Sequence, residues 1–260
     1  MTKPEVTIGV LALQGAFIEH VSHLQKAVAT AKAGSKIASA QISVVTVRTV
    51  EQLSSVDALV LPGGESTSIS LIAERTGLLE PLRDFVRVQR KPVWGTCAGL
   101  ILLSDQASKA KKGGQNLIGG LHVLCQRNHF GRQTESFSCN LALPFTNPYD
   151  VDDLFPAVFI RAPIIEQLLD DSTARLGALK IEDNSEESLV VSAPRLEADK
   201  DDATAVEIIC QLPDSTGTEA GDIVAVRQGH IFGTSFHPEL TPDVRLHAWW
   251  LEECALPFVL

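Results

Sequence analysis

The 260-residue chain is short of several things, and each shortage removes a class of protein. No apolar run comes near the roughly 20 residues that a membrane-spanning helix needs, which argues against a membrane protein. The five cysteines (Cys97, Cys125, Cys139, Cys210 and Cys254) are odd in number and form no C-x-x-C pair. That argues against a zinc ribbon or a disulfide framework and points to a reducing, cytoplasmic setting. Positive charge is outweighed, with 22 Lys+Arg against 32 Asp+Glu and a formal net charge of −10. A nucleic-acid binder acting through bulk charge is therefore not expected. A composition of 45% hydrophobic and 21% charged residues excludes a disordered, collagen-like or disulfide-dense chain. The length is ample for a substantial core and allows one large or two small domains. There is no internal repeat.

The negative charge is concentrated. Residues 150–222 hold 18 acidic and 5 basic side chains, so the rest of the chain is close to neutral and slightly positive. Along the chain, short apolar runs alternate with segments of helical periodicity. Residues 6–11 read as a buried strand rather than a signal peptide, because Glu5 and Gln14 interrupt the pattern a leader would need. Ile18, Val21, Leu24 and Val28 recur at helical spacing after it. Strands are expected at 42–47, 58–61 and 93–94, with helices from Ser66, around Leu82–Phe85–Val86 and from Leu100. This order implies an α/β fold with a mixed, mostly parallel central sheet flanked by helices. In such sheets ligands bind beyond the carboxyl ends of the strands. The second half is richer in strands, at 136–143, 157–160, 223–226 and 230–235, and a closing helix is expected with Thr241 as N-cap and Pro242 in its first turn. Stretches 30–40, 107–116 and 183–222 read as surface excursions, the last as an acidic insertion.

Gly95-Thr96-Cys97-Ala98-Gly99 fits G-x-C-x-G between a strand and a helix, the pattern of a nucleophile elbow. The glycines permit the tight turn that presents the central side chain, and a helix N-terminus favours negative charge on it. The alternative is a buried structural cysteine. A thiolate nucleophile needs a base, and the base needs an orienting group. Phe236-His237-Pro238-Glu239 offers both; a two-residue offset in extended chain would set His237 and Glu239 on one side. Alone, this His would pass for a loop residue; with the elbow it completes a Cys97–His237–Glu239 triad. Donors for a developing oxyanion would be the backbone N–H of Ala98 and the turn at Gly63-Gly64, which could equally be a simple strand-to-helix connection. No P-loop and no G-x-G-x-x-G follows a strand, so nucleotide-phosphate readings fail.

With these residues in place the chain resembles the class I (triad) glutamine amidotransferases, and within them the glutaminase subunits of pyridoxal 5′-phosphate synthase. The resemblance rests on Leu13-Gln14-Gly15-Ala16, Leu61-Pro62-Gly63-Gly64-Glu65-Ser66-Thr67, the elbow through Leu100, and Arg127-Asn128-His129-Phe130-Gly131-Arg132-Gln133. Phe159-Ile160-Arg161-Ala162-Pro163 and Ser235-Phe236-His237-Pro238-Glu239-Leu240 complete it. It implies a flavodoxin-like single domain over 1–260 that hydrolyses L-glutamine, with Cys97 as nucleophile, His237 as base and acid, and Glu239 orienting. It further implies Gly64, Glu65, Ser66, Arg127, Ile160 and Arg161 as glutamine-binding positions. Gln14 would lie near the oxyanion hole and the surface meeting a separate TIM-barrel synthase subunit, which would receive the ammonia. No cofactor or metal is implied. The alternatives are a subunit of another amidotransferase, an intracellular peptidase, or a non-catalytic regulator; the glutamine-site blocks argue against the peptidase and the intact triad against the regulator.

Among the remaining residues, His20 and His23 on the first helix read as a solvated face rather than a metal pair, and Trp249 and Trp250 as packing. Cys125, Cys139, Cys210 and Cys254 have no elbow and read as buried or incidental.

Overall fold

In a computed structural model the described residues are 2–108, 115–127, 136–147, 149–169, 190–196, 204–213 and 221–260. The first half runs β1 (Glu5–Leu11), α1 (Phe17–Ala29), α2 (Lys36–Ser39), β2 (Gln41–Val47), α3 (Val50–Ser54) and β3 (Ala58–Leu61). It continues with α4 (Ser66–Arg75), α5 (Leu79–Arg83), β4 (Val93–Thr96) and α6 (Ala98–Leu103). The second half holds β5 (Ser104–Ser108), β6 (Leu121–Gln126), β7 (Ser136–Leu141), β8 (Phe155–Ile160), β9 (Ile164–Leu168), β10 (Val190–Ser192) and β11 (Glu207–Gln211). β12 (Ile223–Gln228), β13 (Ile231–Thr234), α7 (Arg245–Trp249) and α8 (Leu256–Val259) follow.

The main sheet has the order β10-β5-β6-β9-β12-β13-β4-β3-β1-β2, with β11 paired to β12 beside this path; β7 and β8 form a separate hairpin. Strands β2, β1, β3, β4 and β13 are mutually parallel, whereas pairings from β13 to β12, β12 to β9 and β9 to β6 are antiparallel. The sheet is thus the mixed α/β sheet expected, with its parallel part at the end that begins the chain.

The parallel strands are buried along their whole length in β3, β4 and β13, because helices cover both faces. Alternation within each strand divides the side chains between two cores. Ile8, Val10, Ala58, Val60, Trp94 and Phe232 point to the side covered by α1, α7 and the turn that continues α7, where Leu24, Leu246 and Trp250 meet them. Leu11, Leu59, Leu61, Val93 and Ile231 point to the other side, against Ile69, Ala73, Leu82 and Leu100–Leu103 of α4, α5 and α6.

Several expectations need correction. Helix α1 buries His20, Leu24 and Ala27, while Ile18 is 66% exposed; the apolar spacing of Ile18, Val21, Leu24 and Val28 placed the stripe off its true centre. His20 is therefore core, not a solvated face. The closing helix starts at Arg245 instead of after Thr241. Thr241 follows a 3-10 turn, Pro238–Leu240, and its hydroxyl bonds Pro238 O at 3.1 Å, while Asp243 takes the Arg245 N–H at 2.9 Å. Residues 30–40 include α2, whose Ile37 is buried and whose first amides are held by Glu252 on the turn after α7. Of 183–222, the described residues include β10, antiparallel to β5, and β11, antiparallel to β12; residues 183–189, 197–203 and 214–220, and of the 107–116 stretch residues 109–114, lie outside the described residues.

Candidate active site

The strand order reverses between β1 and β3: from β1 the chain crosses to β2 on one side, then to β3 and β4 on the other. Such a reversal opens a crevice at the carboxyl ends of the strands. The loops leaving β1 and β3 meet there. Ala16 N–H bonds Gly63 O at 3.1 Å, and Glu65 N–H bonds Gln14 Oε1 at 2.9 Å.

Cys97 stands at the end of β4 with φ 47° and ψ −99°, a left-handed backbone that costs a non-glycine residue on the order of 1–3 kcal/mol. The surroundings enforce it. Cys97 N–H bonds Thr234 O of β13 at 2.8 Å and Cys97 O accepts from Ile101 N at 3.2 Å. The elbow glycines are required by contact: a Cβ on Gly95 would lie 2.5 Å from the Gly99 backbone, and one on Gly99 would lie 2.1 Å from Leu61 O of β3. Strand, turn and helix can approach this closely only without side chains, which is why the sequence shows G-x-C-x-G. Ala98 opens α6, 1% exposed.

His237 reaches Cys97 from the end of β13. Its N–H bonds Val158 O of β8 at 2.8 Å, and Phe236 is buried against Phe155 and Phe159 at ring-centroid distances of 6.2 and 5.6 Å. These contacts fix the loop before the imidazole. Nδ1 of His237 lies 2.8 Å from Glu239 Oε1, and the ring and the Cys97 Cβ both border the Gly63 turn. The 3-10 turn, not an extended segment, brings His237 and Glu239 together. Cys97, His237 and Glu239 are all buried, at 7%, 8% and 3% exposure. Burial alone would lower the His237 pKa, but the contacts with Cys97 and Glu239 outweigh it and push it up to about 10. Burial likewise works against the Glu239 charge, yet His20 and His237 hold that carboxyl well below its usual range. The row therefore favours a positively charged imidazole beside the sulfur, the protonation state a thiolate nucleophile needs.

Gly63 is pressed against this pair: a Cβ there would lie 2.3 Å from His237 Cε1 and 3.4 Å from Cys97 Cβ. The candidate oxyanion positions Gly63 and Ala98 thus flank the nucleophile. Gly64 and Glu65 are exposed at the mouth, and Ser66 is buried at the start of α4. The Glu65 carboxylate caps α4 through Thr67 N–H at 3.0 Å and Ser68 N–H at 2.7 Å. Partial burial raises its pKa, but the Ser68 hydroxyl and the two backbone amides outweigh it and lower it overall.

Arg127 follows β6 and reaches the same mouth. Its NH1 donates to Gln115 Oε1 at 3.0 Å, and its NH2 is 3.8 Å from Glu65 Oε1. Ser66 and Thr67 hydroxyls donate to the same Gln115 oxygen at 2.9 and 3.3 Å. Ile160 ends β8 and Arg161 follows it, two and three residues beyond the Val158 carbonyl that anchors His237. Arg161 is exposed and sits at φ 45°, a strained value for a side chain of its size. The triad, Gln14, Gly63–Ser66, Ala98 and Arg127 meet at this edge, and Ile160 and Arg161 are linked to it through the Val158–His237 bond; positions 128–133 of the Arg127 block lie outside the described residues.

Comparison with known proteins agrees with this geometry. A family model described as SNO glutamine amidotransferase matches residues 10–193 and 178–256. The chain belongs to the SNO glutamine amidotransferase family. It is 42% identical over 250 residues to "Pyridoxal 5'-phosphate synthase subunit SNO1" of Saccharomyces cerevisiae, covering 95% of this chain and 92% of that protein. It is 38% identical over 248 residues to "Probable pyridoxal 5'-phosphate synthase subunit PDX2" of Arabidopsis thaliana, covering 95% and 85% respectively. A solved structure described as a glutamine amidotransferase superposes with a TM-score of 0.64 at 33% identity, covering 94% of this chain and 97% of that one.

Two residues at the amidotransferase site escaped the sequence reading. Gln115 is 7% exposed and organises Ser66, Thr67 and Arg127, but nothing local marks it. His20, 0% exposed, stands behind Glu239; its phase with Leu24 and Ala27 at i, i+4 and i+7 was the signal available.

Proposed function

We propose that this family member is the glutaminase subunit of a pyridoxal 5′-phosphate synthase, working through Cys97, His237 and Glu239. The observation that carries the reading is the buried His237 imidazole, bonded to Glu239 at 2.8 Å and set beside Cys97 at the Gly63 turn. The Cys97 thiolate attacks the side-chain amide carbon of L-glutamine, and the carbonyl oxygen gains the charge. Backbone N–H groups of Ala98 and Gly63 receive that oxyanion. The imidazolium of His237 gives its proton to the departing nitrogen, ammonia leaves, and a thioester remains on Cys97. His237 then takes a proton from water as it adds to the thioester, and collapse releases L-glutamate and the thiolate. Glu239 holds the ring orientation and stabilises its charge throughout.

Glutamine carries an α-carboxylate and an α-ammonium. Arg127 and Arg161 supply cationic donors for the first, and Glu65 with the carbonyl of Ile160 supplies acceptors for the second; Gly64 and Ser66 complete the wall. The ammonia passes to a separate TIM-barrel synthase subunit, and Gln14, bonded to the Glu65 amide, sits where docking would act on the oxyanion turn. No described helix is long and apolar enough to cross a membrane. We place the enzyme in the cytoplasm, as one glutaminase domain. The test is glutamate release from glutamine with and without the synthase subunit. Release should rise with the synthase and vanish in Cys97→Ala; unchanged release in that variant would overturn the assignment.

A further inference from the structure

Helix α1 places His20 on the stripe it shares with Leu24 and Ala27, where an apolar side chain would fill the space. The ring is 0% exposed, and the polar contacts of its Nε2 lead toward the triad. Nε2 is 3.2 Å from Thr96 Oγ1, the residue before the nucleophile, and 3.3 Å from Glu239 Oε2. Oε2 has no aligned hydrogen-bond partner among the described residues, so the Nε2–H that Thr96 also receives is the donor within its reach. On its other side, His20 Nδ1 is 3.0 Å from His247 Nε2 on α7.

The ring cannot turn away. Trp94 meets it edge-on at 5.6 Å and 79°, and His247 is itself wedged between Trp94 and His23 at centroid distances of 4.9 Å each. The groups that face His20 are thus Glu239 from the turn after β13, Thr96 and Trp94 from β4, and His247 from α7, with His23 one turn along α1.

Resting on the glutaminase reading, we propose that His20 is a positioning residue for the reaction: it holds the outer oxygen of Glu239 so that the inner oxygen stays on His237, and His247 fixes which of its nitrogens carries the proton. The assignment of protons follows from donor and acceptor capacity. An ionised carboxylate only accepts, so His20 carries its proton on Nε2. In the neutral imidazole Nδ1 is then an acceptor, so His247 donates from Nε2. That leaves His247 Nδ1 as a bare lone pair, and this nitrogen has no hydrogen-bond partner among the described residues. Burial, the largest cause, lowers the His247 pKa well below its ordinary value, so that ring stays uncharged. The row of five side chains runs from Cys97 through His237, Glu239 and His20 to His247.

The test compares wild type, His20→Gln and His20→Leu, each with the synthase subunit, by glutamate release across pH, with melting temperatures alongside. The Gln amide keeps a donor near Nε2; Leu does not. We expect His20→Leu to lose kcat by about ten- to a hundredfold, the size ordinary for losing a group that orients a working ligand, with KM for glutamine within about twofold. Its acid limb should move to higher pH, because Glu239 protonates more readily without the donor. His20→Gln should restore kcat to within about threefold and the acid limb to its wild-type place. Equal losses in the two variants, or wild-type rate in His20→Leu, would overturn the proposal.

A measurement on the wild type stands even if His20→Leu fails to fold. Long-range proton–nitrogen spectra of protein labelled at histidine nitrogens should show His20 and His247 both protonated at Nε2. A proton on His20 Nδ1 with bare Nε2 would overturn the proposal. Absence of glutamine hydrolysis in wild type with the synthase would instead count against the glutaminase reading, while the spectra still decide the role of His20.

Discussion

Gly63→Ala is a sharp perturbation because the structure states where the added methyl would go. It would lie 2.3 Å from His237 Cε1 and 2.8 Å from Nδ1, about 1 Å inside ordinary contact. The imidazole cannot yield freely. Its Nδ1 is tied to Glu239 at 2.8 Å and its backbone N–H to Val158 O at 2.8 Å. The methyl therefore either drives the ring off Cys97 or pushes the Gly63 turn outward, taking its amide from the nucleophile. Misplacement by about 1 Å is worth on the order of a hundredfold in rate, or ~2.7 kcal/mol of transition-state stabilisation. Overpacking of this kind also costs roughly 1–3 kcal/mol of stability, which leaves most of the fold intact. Glutamate release should fall at least about a hundredfold in kcat, with a modest loss in melting temperature. Wild-type kcat in a folded Gly63→Ala protein would refute the placement of Gly63 against the triad.

Two further outcomes follow from the same geometry. In wild type the raised His237 pKa, about 10, keeps the acid for ammonia departure protonated through neutral pH, so kcat/KM should decline on the alkaline side only near pH 10. That raised value also contributes stability below the ring's ordinary pKa that fades as pH rises through about 10. Glu239→Gln removes two of the influences that raise it, so the alkaline limb should move down and kcat fall by roughly 10³–10⁴; an unmoved limb would refute the role of Glu239. Gln115→Ala removes the oxygen shared by Ser66, Thr67 and Arg127, so KM for glutamine should rise about tenfold or more with kcat little changed. An unchanged KM would separate Gln115 from substrate binding.

The parts of this site that were legible in the sequence are those where backbone geometry forces a residue type. Gly95 and Gly99 are dictated by approaches of 2.5 and 2.1 Å, and that compulsion leaves a pattern around Cys97 without any structure in view. The parallel strands β3, β4 and β13 were legible for a similar reason, since burial on both faces makes their sequences apolar throughout. The pairing of His237 with Glu239 was anticipated, but through an extended chain; Pro238 begins a 3-10 turn that does the same work. What local pattern could not give is partnership between distant segments. His20 meets Glu239 across 219 positions of chain, and with no carboxylate or thiol cluster near it in sequence it reads as part of a solvated face. Gln115 is bonded by Ser66 from 49 positions away. Strands β5 and β6 carry polar residues in the mixed half of the sheet, so their periodicity did not announce them.

The central claim is that Cys97, activated by His237, is the nucleophile toward the side-chain amide of glutamine. Its most direct measurement is intact-mass and peptide mapping after treatment with a glutamine analogue bearing an electrophilic chloroketone in place of the amide, in the presence of the synthase subunit. The account predicts one adduct per chain, on Cys97, blocked by L-glutamine and greatly slowed in His237→Ala, with Cys125, Cys139, Cys210 and Cys254 unlabelled. Labelling of another cysteine at the same rate, or labelling of Cys97 that neither glutamine nor the His237 substitution affects, would contradict it.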